Sequence, residues 1–105
     1  MMHKEVMAMM KKIKLPFAYD HFAEVEVPKP PFAVFLYPGS NNFSADGIVY
    51  HKINELNIEL YTDEKNPDTE ESIEAVLDKY GLFYQKTENW IEEERLFEVL
   101  YEMEV

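Results

Sequence analysis

A chain of 105 residues is long enough for one domain, and its 47% hydrophobic and 14% aromatic residues supply a core. Its formal net charge of −11 would repel phosphate backbones, which disfavours direct nucleic-acid binding. The absence of cysteine excludes disulfides, thiolate zinc sites and cysteine nucleophiles. No apolar run approaches the roughly 18 residues of a membrane span. The first residues also lack the apolar stretch of a signal peptide, so we expect a protein made in the cytoplasm and not exported.

The spacing of apolar residues predicts an amphipathic helix over residues 1–14, which Pro16 ends. Its apolar stripe consists of Met2, Val6, Met9, Met10 and Ile13. A methionine-rich stripe can serve as an adaptable partner-binding face. The simpler interpretation, which we favour, is that it packs on the protein's own sheet.

An extended segment leads to a strand predicted at 32–37, which is apolar on both faces and therefore covered on both sides. The next stretch, Ser40 to Tyr50, is rich in turn formers and predicts a long loop of the functional or mobile kind. Either this loop anchors a neighbouring subunit through Phe43, or Phe43 folds back over the sheet. The candidate subunit-interface residues are Asn42, Phe43, Ser44, Asp46 and Tyr50.

Strict alternation of Leu56, Ile58 and Leu60 with polar residues predicts a half-buried strand within 50–62. A helix is predicted at 69–80, with Asp68 as its cap and Gly81 just after its end. Two further strands are predicted at about 82–87 and 95–105, separated by a turn. The order is α-β-β-α-β-β. We expect a single α+β domain over 1–105, with a mostly antiparallel four-stranded sheet and both helices packed on one face.

The outward faces of the two alternating strands are nearly all acidic. Their glutamates are Glu55, Glu59, Glu98, Glu102 and Glu104. Like charges directly opposite one another destabilise a sheet, so the simplest interpretation is a solvated face on strands that are not neighbours. The alternative is an acidic surface that faces a channel or a basic partner.

Motifs for chemistry are weak throughout the sequence. None of the three serines lies in a Gly-x-Ser-x-Gly turn, and the three histidines lack the paired spacing of a zinc site. A calcium loop starting at Asp63 fails because Lys65 and Pro67 occupy ligand positions. With three glycines in all, no phosphate-binding loop is present. We therefore predict a protein that is not an enzyme and that has no catalytic residues, metal or cofactor.

The pattern of the chain resembles a family of small tailed-phage and prophage proteins of Gram-positive bacteria. The resemblance covers most of the chain, from Leu15 to Glu104, and is carried by four segments: Asn42–Asp46, Ile58–Thr62, Tyr84–Glu88 and Tyr101–Glu104. These proteins are similar to tail terminator, or tail completion and head-tail joining, proteins. The resemblance is one of overall pattern and includes no catalytic signature.

The resemblance implies a virion structural subunit that is made in the host cytoplasm and closes into a ring, with a hexamer as the expected size. Such a ring ends the tail tube and docks it to the head connector, and DNA passes through it without being read. An acidic sheet face would suit that passage, because attraction to phosphates would hold the DNA back. The alternatives are an acidic adaptor or inhibitor that binds a basic protein, and a small ligand-binding or enzymatic domain.

Overall fold

Two helices and a five-stranded sheet form the main body of the chain in a computed structural model. The structure describes residues 1–45 and 47–105, without the side chains of residues 43, 45 and 49–51. The predicted α+β class with two helices is confirmed.

The first helix, α1, spans His3–Ile13. Glu5 closes its first turn by accepting a hydrogen bond from the Met2 backbone N–H at 2.8 Å. Lys14 ends the helix in the left-handed conformation, with φ 63°. The stripe predicted from the sequence is buried in the chain's own core, apart from Met2, which is exposed. The methionine-rich face therefore packs internally.

The second helix, α2, spans Pro67–Lys79 and begins earlier than predicted. Asn66, not Asp68, caps it: the Asn66 side chain accepts a hydrogen bond from the Thr69 backbone N–H at 3.1 Å. Proline suits the first helical position because it has no N–H to satisfy there. Gly81 follows the helix with φ 67°, as predicted, and its N–H bonds the Asp78 carbonyl at 3.0 Å.

The main sheet has five strands in the order β1-β2-β5-β7-β6. The strands are β1 (Phe17–Tyr19), β2 (Phe32–Leu36), β5 (Glu55–Thr62), β6 (Tyr84–Ile91) and β7 (Leu96–Glu104). β1 runs parallel to β2, and the other neighbouring pairs are antiparallel. The sheet has one strand more than the four predicted, because β1, at three residues, is too short to show an alternating pattern.

The predicted loop Ser40 to Tyr50 contains a separate hairpin, and the strand predicted at 50–62 is divided in two. The hairpin consists of β3 (Phe43–Ala45) and β4 (Ile48–His51), and β5 begins only at Glu55. We call residues 41–52 the arm. It continues from the β2–β5 pair through a bridge between Ser40 and Asn54. The arm strands pair with each other and, in the described residues, with no strand of the main sheet.

β6 is longer than the predicted 82–87: it extends into the predicted turn as far as Ile91 and so includes Trp90. Its middle is polar, and pairing with β7 through the full hairpin keeps it extended. Trp90 lies opposite Phe97, with the ring centroids 4.8 Å apart. Cross-strand aromatic contact of this kind stabilises a sheet despite the low strand preference of the neighbouring Glu88 and Asn89.

Both helices pack on one face of the sheet, as predicted. The side chains of Leu56, Ile58 and Leu60 are fully buried there with those of the two helices. Among the described residues, neither α-helix packs on the opposite face. The segment that includes Phe22 crosses it beside β2, where the Phe22 ring meets Phe32 edge-on at 5.4 Å. The rest of this face, over β5, β7 and β6, is the open face.

Candidate assembly surfaces

The five predicted glutamates lie together on the open face, because the alternation of β5 and β7 directs them away from the helices. β5 and β7 are neighbours, so the favoured interpretation of an acidic face on separated strands was wrong. Glu55 lies directly opposite Glu104, and Asn57 opposite Glu102. Placing like charges opposite each other costs roughly 0.2–1 kcal/mol unless another group compensates them.

One half of this acidic surface is a cluster around Tyr61. The Tyr61 hydroxyl lies 2.6 Å from Glu59 Oε1 and 2.9 Å from Glu98 Oε2. A phenol has one hydrogen to donate, so both contacts are hydrogen bonds only when one carboxyl is protonated and donates to the phenol oxygen. Burial raises the pKa of Glu59, and the charges of Glu98 and Asp20 act in the same direction, although the Tyr61 bond opposes them. Glu59 therefore takes up a proton at a higher pH than an ordinary glutamate does.

The other half of the acidic surface is a groove with a volume of about 550 Å³, here called the acidic groove. It is lined by Glu55, Asn57, Gln85, Glu102 and Glu104, together with Gly81, Leu82, Phe83 and Met103. Within the described part of the chain, none of its three glutamates lies within ion-pair distance of a basic side chain. Phe83 is 79% exposed. The groove thus combines uncompensated negative charge with an exposed aromatic ring.

A second groove, where the C-terminal ends of the two helices meet, is basic. This lysine groove has a volume of about 490 Å³ and is lined by Lys12, Lys14, Val76, Lys79 and Tyr80. The Lys12 ammonium lies 5.0 Å from the centre of the Tyr80 ring, a distance suited to a cation–π contact. Among the described residues, none of the three lysines forms an ion pair. Sequence reasoning missed this groove, because Lys12 belongs to α1 and Lys79 to α2.

The arm carries the predicted interface residues. Ser44 and Asn42 are exposed, and the Asn42 side chain accepts a hydrogen bond from the Ile53 backbone N–H at 3.2 Å. Phe43 and Tyr50 lie on β3 and β4, but their side chains are outside the described residues, as is Asp46. Sequence reasoning missed the exposed Ile48, which is 66% accessible. The Asp-Gly pair at 46–47 is a hairpin signal that could have revealed this element.

An ion-pair network that no sequence motif indicates fastens α2 to β6. Glu70 is almost fully buried and lies 2.7 Å from the Lys65 ammonium and 2.8 Å from that of Lys86. Lys86 also contacts Glu74, which accepts a hydrogen bond from the Tyr101 hydroxyl at 2.7 Å. Burial alone would raise the pKa of Glu70, but the hydrogen bonds from both lysines outweigh it and hold that pKa below its ordinary value.

Comparisons with known proteins add no family: no protein-family model matches the chain, and no curated protein matches it. In the described residues, no group of three or more histidine or acidic side chains is placed to hold a metal ion. Nor does any described helix combine the length and apolar character that crossing a membrane requires. A function is therefore inferred from the shape and charge of the chain.

Proposed function

We propose that this chain is a structural subunit of a tailed-phage virion, a tail terminator or head-tail joining protein that acts by assembly. Copies close into a ring, expected to be a hexamer, that ends the tail tube and docks it to the head connector. The protein is made in the bacterial host and becomes part of the tail or neck. In this role the protein catalyses no reaction and uses no cofactor.

The arm is the observation that carries this proposal. An isolated two-stranded hairpin is marginally stable in water, because it buries too little apolar surface to offset the ordering of its backbone. The arm strands pair only with each other among the described residues, and Ile48 is exposed on them. A neighbouring subunit that covers the arm would supply the missing burial.

The acidic open face agrees with the passage of DNA. Its glutamates would repel phosphates, so a channel lined by this face lets DNA slide without being held. In this proposal the lining residues are Glu55, Glu59, Glu98, Glu102 and Glu104.

The test is electron microscopy and native mass spectrometry of the chain, alone and co-expressed with the tail-tube subunit of the same phage. We expect closed rings with a central opening and tubes of uniform length with the chain at one end. Ile48→Asp should abolish rings and give overlong tubes. The matched control is Val25→Asp, which adds the same charge at a residue that is 95% exposed and lies away from the arm. Tubes of unregulated length with no bound chain would contradict the proposal.

A second candidate is an acidic adaptor or inhibitor that binds a basic protein, and the acidic groove favours it. Such a protein would form a complex of fixed stoichiometry with one purified basic partner, without closing into rings. Because the contact would be largely ionic, its affinity should fall steeply as salt rises. Charge reversal at Glu102 and Glu104 should abolish it, and titration of the purified pair measures both effects.

A further inference from the structure

We infer that the acidic groove of one copy receives the lysine groove of the next, and that this contact joins the subunits of the assembly. The inference rests on the proposed function and refines it. It assigns Glu55, Glu102 and Glu104 to the contact between copies and leaves Glu59 and Glu98, beside Tyr61, to line the channel.

Charge complementarity within one chain is the first step. The chain has 10 basic residues against 21 acidic ones, yet three lysines line a single groove. Lys65 and Lys86 are compensated by carboxylates of their own chain, whereas Lys12, Lys14 and Lys79 are not, within the described residues. Three glutamates of the acidic groove are likewise uncompensated. A second copy supplies each groove with the opposite charge in equal number.

Apolar contact is the second step. Phe83, 79% exposed, lies at the acidic groove, and the half-buried Val76 and Tyr80 lie in the lysine groove. Aromatic side chains are enriched at the centre of protein interfaces, and polar groups surround them at the rim. Seating Phe83 against Val76 and Tyr80 of the neighbouring copy would remove this ring from water.

The placement of the grooves determines the kind of assembly. The glutamates of the acidic groove lie on the open face, and the lysine groove lies where the helices end on the opposite side of the sheet. The two grooves share no lining residue, so a copy that docks its lysine groove on a neighbour still presents its own acidic groove to the next copy. Such a head-to-tail contact joins two different surfaces and produces rings when the rotation closes.

The experiment is a charge exchange between the grooves. One variant carries Glu102→Lys and Glu104→Lys, and a second carries Lys12→Glu and Lys79→Glu; all four side chains are exposed. Native mass spectrometry and light scattering in 0.15 M salt measure the size of the assembly. If the wild type forms rings only on tail tubes, the tubes are added to every sample. We expect each variant alone to be a monomer. Their mixture should recover rings of alternating variants, because both the native pair of grooves and the charge-exchanged pair then attract each other. The chain carrying all four substitutions should recover rings.

The matched control carries Glu24→Lys and Glu26→Lys, which make the same charge change at exposed residues outside both grooves. It should assemble like the wild type. Rings that survive both groove variants would overturn the inference while leaving the proposed function intact. A wild type that stays monomeric even with tail tubes would overturn both. If the wild type is such a monomer and binds a lysine-rich peptide that the Glu102→Lys/Glu104→Lys variant does not bind, the acidic groove is assigned to a foreign basic partner.

Discussion

Glu70 shows how a single buried carboxylate can join a helix to a strand. It belongs to α2, its side chain is 4% exposed, and it bonds Lys86 of β6 as well as Lys65. Removing one member of such a network leaves the buried partner without its charge-assisted bonds. Because the two lysine side chains are 46% and 36% exposed, water screens part of that loss.

We expect Glu70→Gln to lower the free energy of unfolding at pH 7 by about 1.5 kcal/mol, the lower end of the range for hydrogen bonds to charged groups, because water screens part of the loss. The pKa of Glu70 is depressed in the folded state. Its contribution to stability is therefore complete above the pKa of an ordinary carboxyl group and is lost as pH falls through the lower pKa of the folded state. The difference between variant and wild type should therefore shrink in acid. Urea unfolding at several pH values measures this, with the exposed Glu71→Gln as the control. A difference that stays constant down to acid pH would contradict the argument.

For Glu59 we expect the opposite dependence of stability on pH. Its pKa is raised in the folded state, so the folded protein binds the proton more readily than the unfolded chain does. Stability contributed by Glu59 is therefore lost as pH rises above the ordinary carboxyl pKa of 4.5 through the raised value. Glu59→Gln, which keeps an oxygen that can accept from Tyr61, should raise the stability at pH 7 more than at pH 4.

Thermal unfolding at the two pH values measures this effect. Glu26→Gln, at an exposed position, removes the same charge without touching the Tyr61 cluster and serves as the control. Equal stabilisation by both substitutions at pH 7 would attribute the effect to net charge and not to the cluster.

At the scale of elements, the sequence predicted those whose pattern depends on burial. The alternation of Leu56, Ile58 and Leu60 predicted β5, because one face of that strand is buried in the core. The stripe of α1 and the glycine after α2 were equally visible. Each of these signals is local to the element that carries it.

Strand residues stabilised by pairing alone were missed: all of β1, and the part of β6 beyond the predicted end at residue 87. β1 has three residues, and β6 is exposed over most of its length, so neither shows a pattern of burial. The acidic surface was predicted residue by residue, but its two strands were assigned to separate places. The register between strands that are distant in sequence depends on the whole fold. The proximity of Lys79 to Lys12 depends on the whole fold in the same way.

The end of α2 provides a test at this scale. Gly81 has φ 67°, where an L-residue is strained by about 1–2 kcal/mol. Gly81→Ala should therefore lower the free energy of unfolding by about 1 kcal/mol, since alanine also restricts the unfolded chain. A new Cβ would meet no atom within 4 Å at this position, so the cost is one of backbone conformation alone.

Gly39→Ala is the matched control. The backbone there is not left-handed, and the new Cβ would meet Glu55 Oε2 at an ordinary 3.5 Å. This substitution should leave the stability unchanged or raise it slightly. A similar loss at both glycines, measured by urea unfolding, would contradict the conformational argument.

At the scale of the whole molecule, two opposing charge effects act on assembly. Each copy carries a net charge of −11, which repels other copies, while the grooves attract one another locally. At 10 mM salt the Debye length is about 30 Å, comparable to the 28 and 23 Å widths of the subunit, so the whole charge is felt. At about 1 M salt it falls to roughly 3 Å, and ion pairs are screened too.

We therefore expect association to be strongest at intermediate salt, near 0.15 M, and weaker at both extremes. Sedimentation equilibrium from 10 mM to 1 M salt measures this dependence. The Glu102→Lys/Glu104→Lys variant, which lacks the attraction, should show no maximum. Association of the wild type that increases steadily up to 1 M would indicate a purely apolar contact.

Trp90, the single tryptophan, lies on β6 near the turn that leads to β7, at the opposite end of the β5–β7 ladder from Glu55. It is 41% exposed and its ring contacts Phe97. Indole emission from this protein is thus a reporter of one hairpin tip, not of the packing between helices and sheet. Intrinsic tryptophan fluorescence would therefore change when that hairpin tip frays, and it would not change when copies associate through the other end of the sheet.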